Sequence, residues 1–269
     1  MTDHLLRNLA PIPDTAWKLI DDEAKERLTP KLAARRLVDW KGPRGWGHSA
    51  TNLGRVRRLA PAGDAARGEE VDQRMVLPVT EFRVPFTVKR AEIADAARGA
   101  VDLDLDDLAR AAARAAECEN TAVLHGWATA GIVGLTEAST HDPLPLGEDA
   151  MSLPHTVAVA VDRLRCAGIE GPYALAIAPA GYTRIVETTE QGGHPLLDHL
   201  RQILGGDVIW APGVEGAVVL SRRGGDFVLD VGQDLAIGYR THDAETVELY
   251  LEESFSFRVI EPDAALALR

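Results

Sequence analysis

The sequence predicts an α+β fold, and three stretches carry that prediction. Residues 246–259, TVELYLEESFSFRV, place apolar side chains at nearly every odd position. Val247, Leu249, Leu251, Phe255, Phe257 and Val259 share one face, and Glu248, Glu252, Ser254, Ser256 and Arg258 share the other. Only a β-strand has a period of two, and this one far exceeds the roughly five or six residues of an ordinary strand. Asp104–His125 repeats Leu105, Leu108, Ala112 and Ala116 at helical spacing, which predicts the longest helix. Tyr173–Ala178, Asp207–Trp210 and Ala217–Ser221 read as short buried strands. They alternate with helices around Pro179–Val186 and Pro195–Leu204, giving a mixed α/β unit.

From the N-terminus, Asp14 opens an amphipathic helix with Trp17, Ile20, Ala24 and Leu28 as its stripe. Thr29-Pro30 ends it and reads as N-cap and first position of a second short helix, Lys31–Leu37. The following VDWKGPRGWGHSATNLG lacks helical period. Leu53–Val88 reads as a long excursion outside the core, with a polar tip at Pro61–Asp72 and a return arm, Val76–Val88, that alternates through Phe82, Val84, Phe86 and Val88. A lone two-stranded hairpin is marginal in water, so these arms need a partner on another subunit. Ser152–Ala167 is a helix with Ser152 as N-cap and Gly168 as its C-terminal stop. Arg222–Asp243 holds two further strand-like runs separated by Gly232-Gln233-Asp234.

The chain has 269 residues and a formal charge of −12, which argues against nucleic acid as a partner. The charge is uneven: residues 1–60 hold 12 Lys/Arg against 7 Asp/Glu, a balance of +5 that leaves −17 for the remainder. Either two faces are solvated differently, or one subunit's basic part meets a neighbour's acidic part. Cys118 and Cys166 fall in alanine-rich helical patterns, so reduced and buried thiols of a cytoplasmic protein are expected. MTDHLLRNLAPIPD has no apolar core of signal-peptide length, and no run approaches the ~20 residues of a membrane span. The expectation is a soluble, cytoplasmic protein with no membrane partner.

Three clusters imitate chemistry. Asp102, Asp104 and Asp106 resemble the start of a calcium loop, but Asp107 stands where glycine is needed and Ala113 where Glu is needed. His194 and His199 lie five residues apart, on different helix faces, unlike the four-residue pairing of a helical zinc site. The Ser221–Asp226 run reads as a hairpin turn, with no helix after it to bind an anion. No nucleophile elbow and no local Cys–His motif occur, so the expectation is that the protein is not an enzyme.

A set of motifs in colinear order, from LAPIPDTAW (Leu9–Trp17) to GGDF…GQDLAIGY (Gly224–Tyr239), makes the chain resemble the encapsulins, bacterial shell proteins with the major capsid fold of tailed bacteriophages (the HK97 type). The resemblance rests on LAPIPDTAW (Leu9–Trp17), the R-x-x-VD-x-x-GP-x-GW pattern at Arg35–Trp46, LGRV (Leu53–Val56) and FRVPFTVKRAEI (Phe82–Ile93). It continues through GIEGPYAL (Gly168–Leu175), GHPLLDHL (Gly193–Leu200) and GGDF…GQDLAIGY (Gly224–Tyr239), in colinear order along the chain. It implies an N-terminal helical segment (1–46), an extended loop (47–89), a peripheral domain (90–130 with 225–269) and an axial domain (131–224). It also implies self-assembly into an icosahedral shell of about sixty copies or a multiple, around a cargo enzyme such as a ferritin-like protein, with a role in iron storage, or a dye-decolourising peroxidase. Cargo is expected to be held by its C-terminal peptide in a groove formed by Leu28, Leu32, Arg35 and Asp39, faced by Asp234 and Leu235. Glu187, Thr188, Thr189, Glu190, Gln191, Gly192, Gly193 and His194 correspond to the loop around a fivefold pore. The aromatic residue that stacks on flavin in some members is Ala91 in this sequence, which offers no ring, so no cofactor is expected. An alternative keeps the fold and changes the biology, to a prophage-derived major capsid protein that packages DNA.

Overall fold

The computed structural model describes residues 4–61, 69–147, 149–190 and 193–269. The chain opens with a 3-10 turn, Arg7–Leu9, then helices α1 (Asp14–Leu28) and α2 (Ala34–Leu37) and a short strand β1 (Asp39–Lys41). Next come β2 (Ala50–Leu59), β3 (Val71–Pro78), β4 (Thr80–Lys89), α3 (Arg90–Arg98), α4 (Asp106–His125) and α5 (Leu135–Ala138). The remainder is α6 (Leu153–Cys166), β5 (Tyr173–Ile177), α7 (Pro179–Glu187), α8 (Leu196–Leu204), β6 (Val208–Trp210), β7 (Ala217–Ser221), β8 (Phe227–Val231), β9 (Ala236–His242), β10 (Thr246–Val259) and β11 (Ala265–Leu268).

β10 is long because it serves three neighbours. β4 runs antiparallel along one edge, from Thr246 opposite Lys89 to Phe255 opposite Thr80. The other edge is shared end to end by β9, against Val247–Glu252, and β8, against Phe255–Val259. The glycine-bearing joint between β8 and β9 keeps its polar backbone satisfied on Ser254: Gly232 N donates to Ser254 O, and Ser254 N donates to Gln233 O. β1 extends this sheet in parallel on β8. α4 packs on β4 and β10, and α1 packs on α4. Half of the buried face of α4 is alanine (Ala111, Ala112, Ala115, Ala116, Ala122), which lets backbones approach closely.

A second sheet, ordered β11-β7-β5-β6, forms the other unit with α6, α7 and α8 around it. β5 and β6 are parallel, joined by the α7–α8 crossover, and every residue of β5 and β7 is buried. The two units dock through α4. Thr121 Oγ1 donates to Gly213 O at 2.8 Å, and Gly213, at φ +80°, lies so close to Glu117 of α4 that a Cβ would stand 2.9 Å from its carbonyl oxygen.

Several expectations need correction. The excursion is only β2 and β3: its supposed return arm is a full member of the central sheet, because Phe82, Phe86 and Val88 bury against the core. Residues 62–68 of its predicted tip lie outside the described residues. The second helix begins at Ala34 rather than Lys31. Thr29 does not cap it, because its hydroxyl turns back to Lys25 O at 2.7 Å; Asn120 Oδ1 of α4 instead accepts from Ala34 N at 2.9 Å. Ser152 likewise makes no cap bond, since its hydroxyl donates to Asp149 O. Gly168 does stop α6, with its own N–H on Arg165 O and that of Ile169 on Leu164 O. The Ser221–Asp226 run is not a hairpin turn: β7 and β8 belong to different sheets, and it carries the chain between them. The boundaries drawn at 225–269 also shift, because β11 joins the second sheet beside β7. Both cysteines are free, but Cys166 is exposed and Cys118 half-buried.

Candidate functional site: an apolar groove floored by an ionic cluster

The stripe of α1 points Ala24 and Leu28 inward, and the turn after it brings Leu32 to the same side. Across from them the chain leaves the β8–β9 joint through Asp234 and Leu235 into β9. Between the two sides lies a cavity of about 470 Å³, lined by Leu28, Leu32, Arg35, Asp234, Leu235 and, deeper, Ile237 and Leu251. The N-terminal segment closes one end: Tyr239 N donates to Leu5 O at 2.8 Å, Arg7 pairs with Asp21 at 2.7 Å, and its guanidinium lies 3.9 Å from the centroid of the Trp17 ring. The Arg7–Asp21 pair is only part-buried and contributes little by itself.

Five of the six groove residues expected from the sequence thus converge. Asp39 does not. α2 stops at Leu37, Val38 is extended, and Asp39 starts β1. Its carboxylate accepts from Gly225 N at 2.7 Å, where it holds the crossing between the two sheets, and it lines a separate small cavity that Arg35 also borders.

The floor of the groove is ionic. Arg35 donates from Nε to Glu119 at 2.7 Å and from Nη2 to Glu253 at 2.7 Å, and its Nη1 lies 2.8 Å from Asp234. Burial works to lower the pKa of Arg35, but the charges of Glu119, Glu253 and Asp234 outweigh it and hold the group above its ordinary value. Glu253 goes the other way: burial and then the like charge of Glu119 push it well above the usual carboxyl range, against the pull of Arg35. Beside them, burial and the same two carboxylates raise the Cys118 thiol to about 11, which keeps it protonated. Glu252, on the face opposite the apolar one, is also fully buried: Arg83, directly across on β4, reaches it at 2.7 Å, and His4 lies 3.2 Å away.

The expected pore segment runs from the end of α7 to the start of α8. Glu187 and His194 are exposed. Thr188 Oγ1 donates to Arg184 O at 2.6 Å, Thr189 bridges to Pro195, and Gly193 N donates to Glu190 O. Glu190 is tied within the chain to His199 Nδ1 at 2.8 Å, so Glu190 is held away from a free ring of carboxylates. Gln191 and Gly192 lie outside the described residues. Asp104 pairs with Lys89 at 2.8 Å, and among the described residues no group of three or more His, Cys, Asp or Glu is arranged to hold a metal ion. Ala91 stands exposed on the first turn of α3. No helix among the described residues is long and apolar enough to cross a membrane.

A family model described as an encapsulating protein for peroxidase matches residues 1–256. The type 1 encapsulin shell protein of Rhodospirillum rubrum is 48% identical over 268 residues, covering 98% of this chain and 96% of that protein. Its counterpart from Brevibacterium linens is 42% identical and covers 99% of both. Among solved structures, a virus-like particle from Pyrococcus furiosus aligns with a TM-score of 0.67 at 15% identity, covering 94% of this chain and 99% of that one. The capsid of a myoviridae phage, XM1, aligns at 0.53 and 13% identity over 88% of this chain and 91% of that one. At such identities these two structures establish the shared HK97-type capsid fold.

Proposed function

The chain belongs to the family of type 1 encapsulin shell proteins, and from that premise we propose that its copies close into an icosahedral shell, of about sixty subunits or a multiple, around a cargo enzyme. The single observation that carries the cargo reading is the groove: it is concave, lined by apolar side chains above an ionic floor, and built by residues from four separated parts of the chain. An extended tail would bury leucine-sized anchors between Leu28, Leu32 and Leu235, while Arg35 and Asp234 fix its direction. Each such anchor gains only about 1.5–3 kcal/mol, much of it offset by ordering the tail. An oligomeric cargo with several tails, such as a peroxidase or a ferritin-like protein, gains the rest by avidity. The groove faces the interior in this reading, and the 187–194 segment lies at a fivefold opening, with Glu187 and His194 exposed to it. The protein works in the cytoplasm.

The test is purification of wild-type shells and of a Leu235→Asp variant from native cells. Leu235 is half-buried and packs at the groove edge, so the variant should still assemble while cargo falls away. Leu28 and Leu32 are buried in the core as well as lining the groove, which makes them poorer probes. Cargo present in Leu235→Asp shells at wild-type stoichiometry would place the binding site elsewhere. Electron microscopy of the same preparations checks the shell and the placement of residues 187–194. A protein that remains monomeric at micromolar concentration would overturn the assembly reading.

A further inference from the structure

Four parts of the chain meet on one cation: Arg35 of α2 is held by Glu119 of α4, Glu253 of β10 and Asp234 of the β8–β9 joint. Glu119 and Glu253 are 0% exposed, while the Asp234 side chain is 39% exposed at the groove. Fully ionised, three carboxylates on one guanidinium leave two uncompensated negative charges, and two of the three carboxylates have no water to screen them. Like charges sharing a buried site are resolved by protonating one of them. The atoms point the same way. Arg35 reaches Glu119 Oε2 and Glu253 Oε1, and the remaining oxygens, Glu119 Oε1 and Glu253 Oε2, are buried without a donor. Buried polar atoms in folded proteins are almost always satisfied. The elements packed around the cluster supply no substitute. Among the described residues Arg35 is the only cation in ion-pair contact with either carboxylate; Cys118 of α4 is a neutral thiol, and β1 contributes the Trp40 ring, 6.0 Å from the guanidinium.

We propose that Glu119 and Glu253 hold one proton between them, and that its loss at alkaline pH draws Arg35 inward, off Asp234, and loosens this wall of the groove. The significance for cargo rests on the groove reading above; the proton chemistry does not. With the proton in place the buried part of the cluster is neutral: one guanidinium, one carboxylate, one carboxylic acid. Asp234 is then the surplus charge, turned to the groove and anchored by a guanidinium whose Nε and Nη2 are taken by Glu119 and Glu253. Without the proton two full charges compete for Arg35 from below, and the groove-side partner is the solvated one that can be released.

The direction of the pH dependence follows from linkage. Burial raises Glu253 above its unfolded range, so the folded chain keeps a proton that the unfolded chain gives up. Stability from this site is complete below the ordinary carboxyl range. It falls as pH rises toward the raised value, by about tenfold in the folding equilibrium for each pH unit. Glutamine at either position imitates the protonated acid, because its amide supplies the missing donor permanently.

The experiment uses cargo-free shells of wild type, Glu253→Gln and Glu119→Gln. At near-neutral pH exposed carboxyls are ionised, so an infrared carbonyl band of a carboxylic acid reports a buried proton. That band is expected in wild type and absent from both variants. Denaturant unfolding across mildly acid to mildly alkaline pH should show the variants gaining on wild type by about tenfold per pH unit. A wild-type protein without the band, or a band that survives in both variants, overturns the proposal. Should one variant fail to fold, the other and the wild-type spectrum still decide. No step measures cargo, so a failure of the groove reading, seen as cargo retained in Leu235→Asp shells, is separate from a failure here.

Discussion

Asn120 ties the groove to the rest of the molecule, and truncating it should cost more than its place in an alanine-rich helix suggests. It is fully buried in α4 and satisfies three backbone groups. Its Oδ1 accepts from Ala34 N at 2.9 Å, and its Nδ2 donates to Lys31 O at 2.8 Å and to Pro212 O at 3.0 Å. The first two fix the turn that carries Leu32 and leads into Arg35; the third fixes the loop through which the second unit docks. Asn120→Ala removes three hydrogen bonds of about 0.5–1.5 kcal/mol each and leaves the Ala34 N–H without its partner, which adds a desolvation penalty of about 1–3 kcal/mol. The sum is about 2.5–7.5 kcal/mol, a large part of the roughly 5–15 kcal/mol that a folded domain has to lose. Asn120→Asp keeps the acceptor for Ala34 but loses both donors and buries a charge, so it should be at least as damaging. Urea unfolding of the subunit measures the loss, and hydrogen exchange of amides 31–37 locates it. A cost below about 1 kcal/mol for Asn120→Ala would refute the claim that these bonds hold the turn, since even one net bond of that kind is worth as much.

Two further outcomes are expected. Replacing Asn52–Val76 with a two-residue turn should leave a soluble fold that does not close shells, because Thr51 and Leu77 are already paired neighbours and the excised arms contribute mostly exposed side chains; size-exclusion chromatography checks it, and closed shells from this variant would remove the hairpin from the assembly argument. His125 is held neutral by burial, with Nε2 accepting from Glu215 N at 3.0 Å and Nδ1 on Thr136 at 3.1 Å. Its depressed pKa means that the unfolded chain takes up a proton first, so stability is lost as pH falls below about 6.5; His125→Gln should flatten that acid limb, and an unchanged limb would assign it to other groups.

Wherever one physical signal dominated, the fold could be read from residues alone. The period of two in 246–259 gave β10 end to end, the alanine and leucine spacing gave α4 within two residues of its start, and Gly168 gave the stop of α6. Helix starts were less legible, because a cap is a competition between local and distant partners: Thr29 and Ser152 have the right chemistry, but each hydroxyl finds a nearer carbonyl, and the bond to Ala34 comes from a residue 86 positions away. Strand partnership was the weakest reading. Thr80–Lys89 alternates like a hairpin arm, and nothing local says that its partner is β10 rather than β3. Of the groove, Leu28, Leu32 and Leu235 were legible as apolar positions and, with Arg35 and Asp234, through the family likeness. Asp39 does not line the groove, because the chain runs extended after α2 and Asp39 begins β1.

Glu119, Glu252 and Glu253 were missed as site residues, yet β10 carried a signal for one of them. The odd-numbered face is apolar from Val247 to Val259 except at 253, and a lone acid on an otherwise buried face has to find a buried partner. That break in the pattern marks the place where Arg35 enters. The neighbouring acid at 252 then acquires a second meaning. β10 pairs along both edges, and sliding a strand by one residue turns every side chain to the opposite face. In the observed register Glu253 meets Arg35 while Glu252, on the other face, meets Arg83 and His4. A slip in one direction would put Ser254 against Arg35; a slip in the other would put Leu251 against Arg83. Either slip leaves one of the two arginines without its carboxylate and moves the apolar residues onto the face that Glu252, Ser254 and Ser256 now occupy. Two adjacent glutamates on opposite faces are therefore satisfied together in one register only, which suits a strand that must align three neighbours at once.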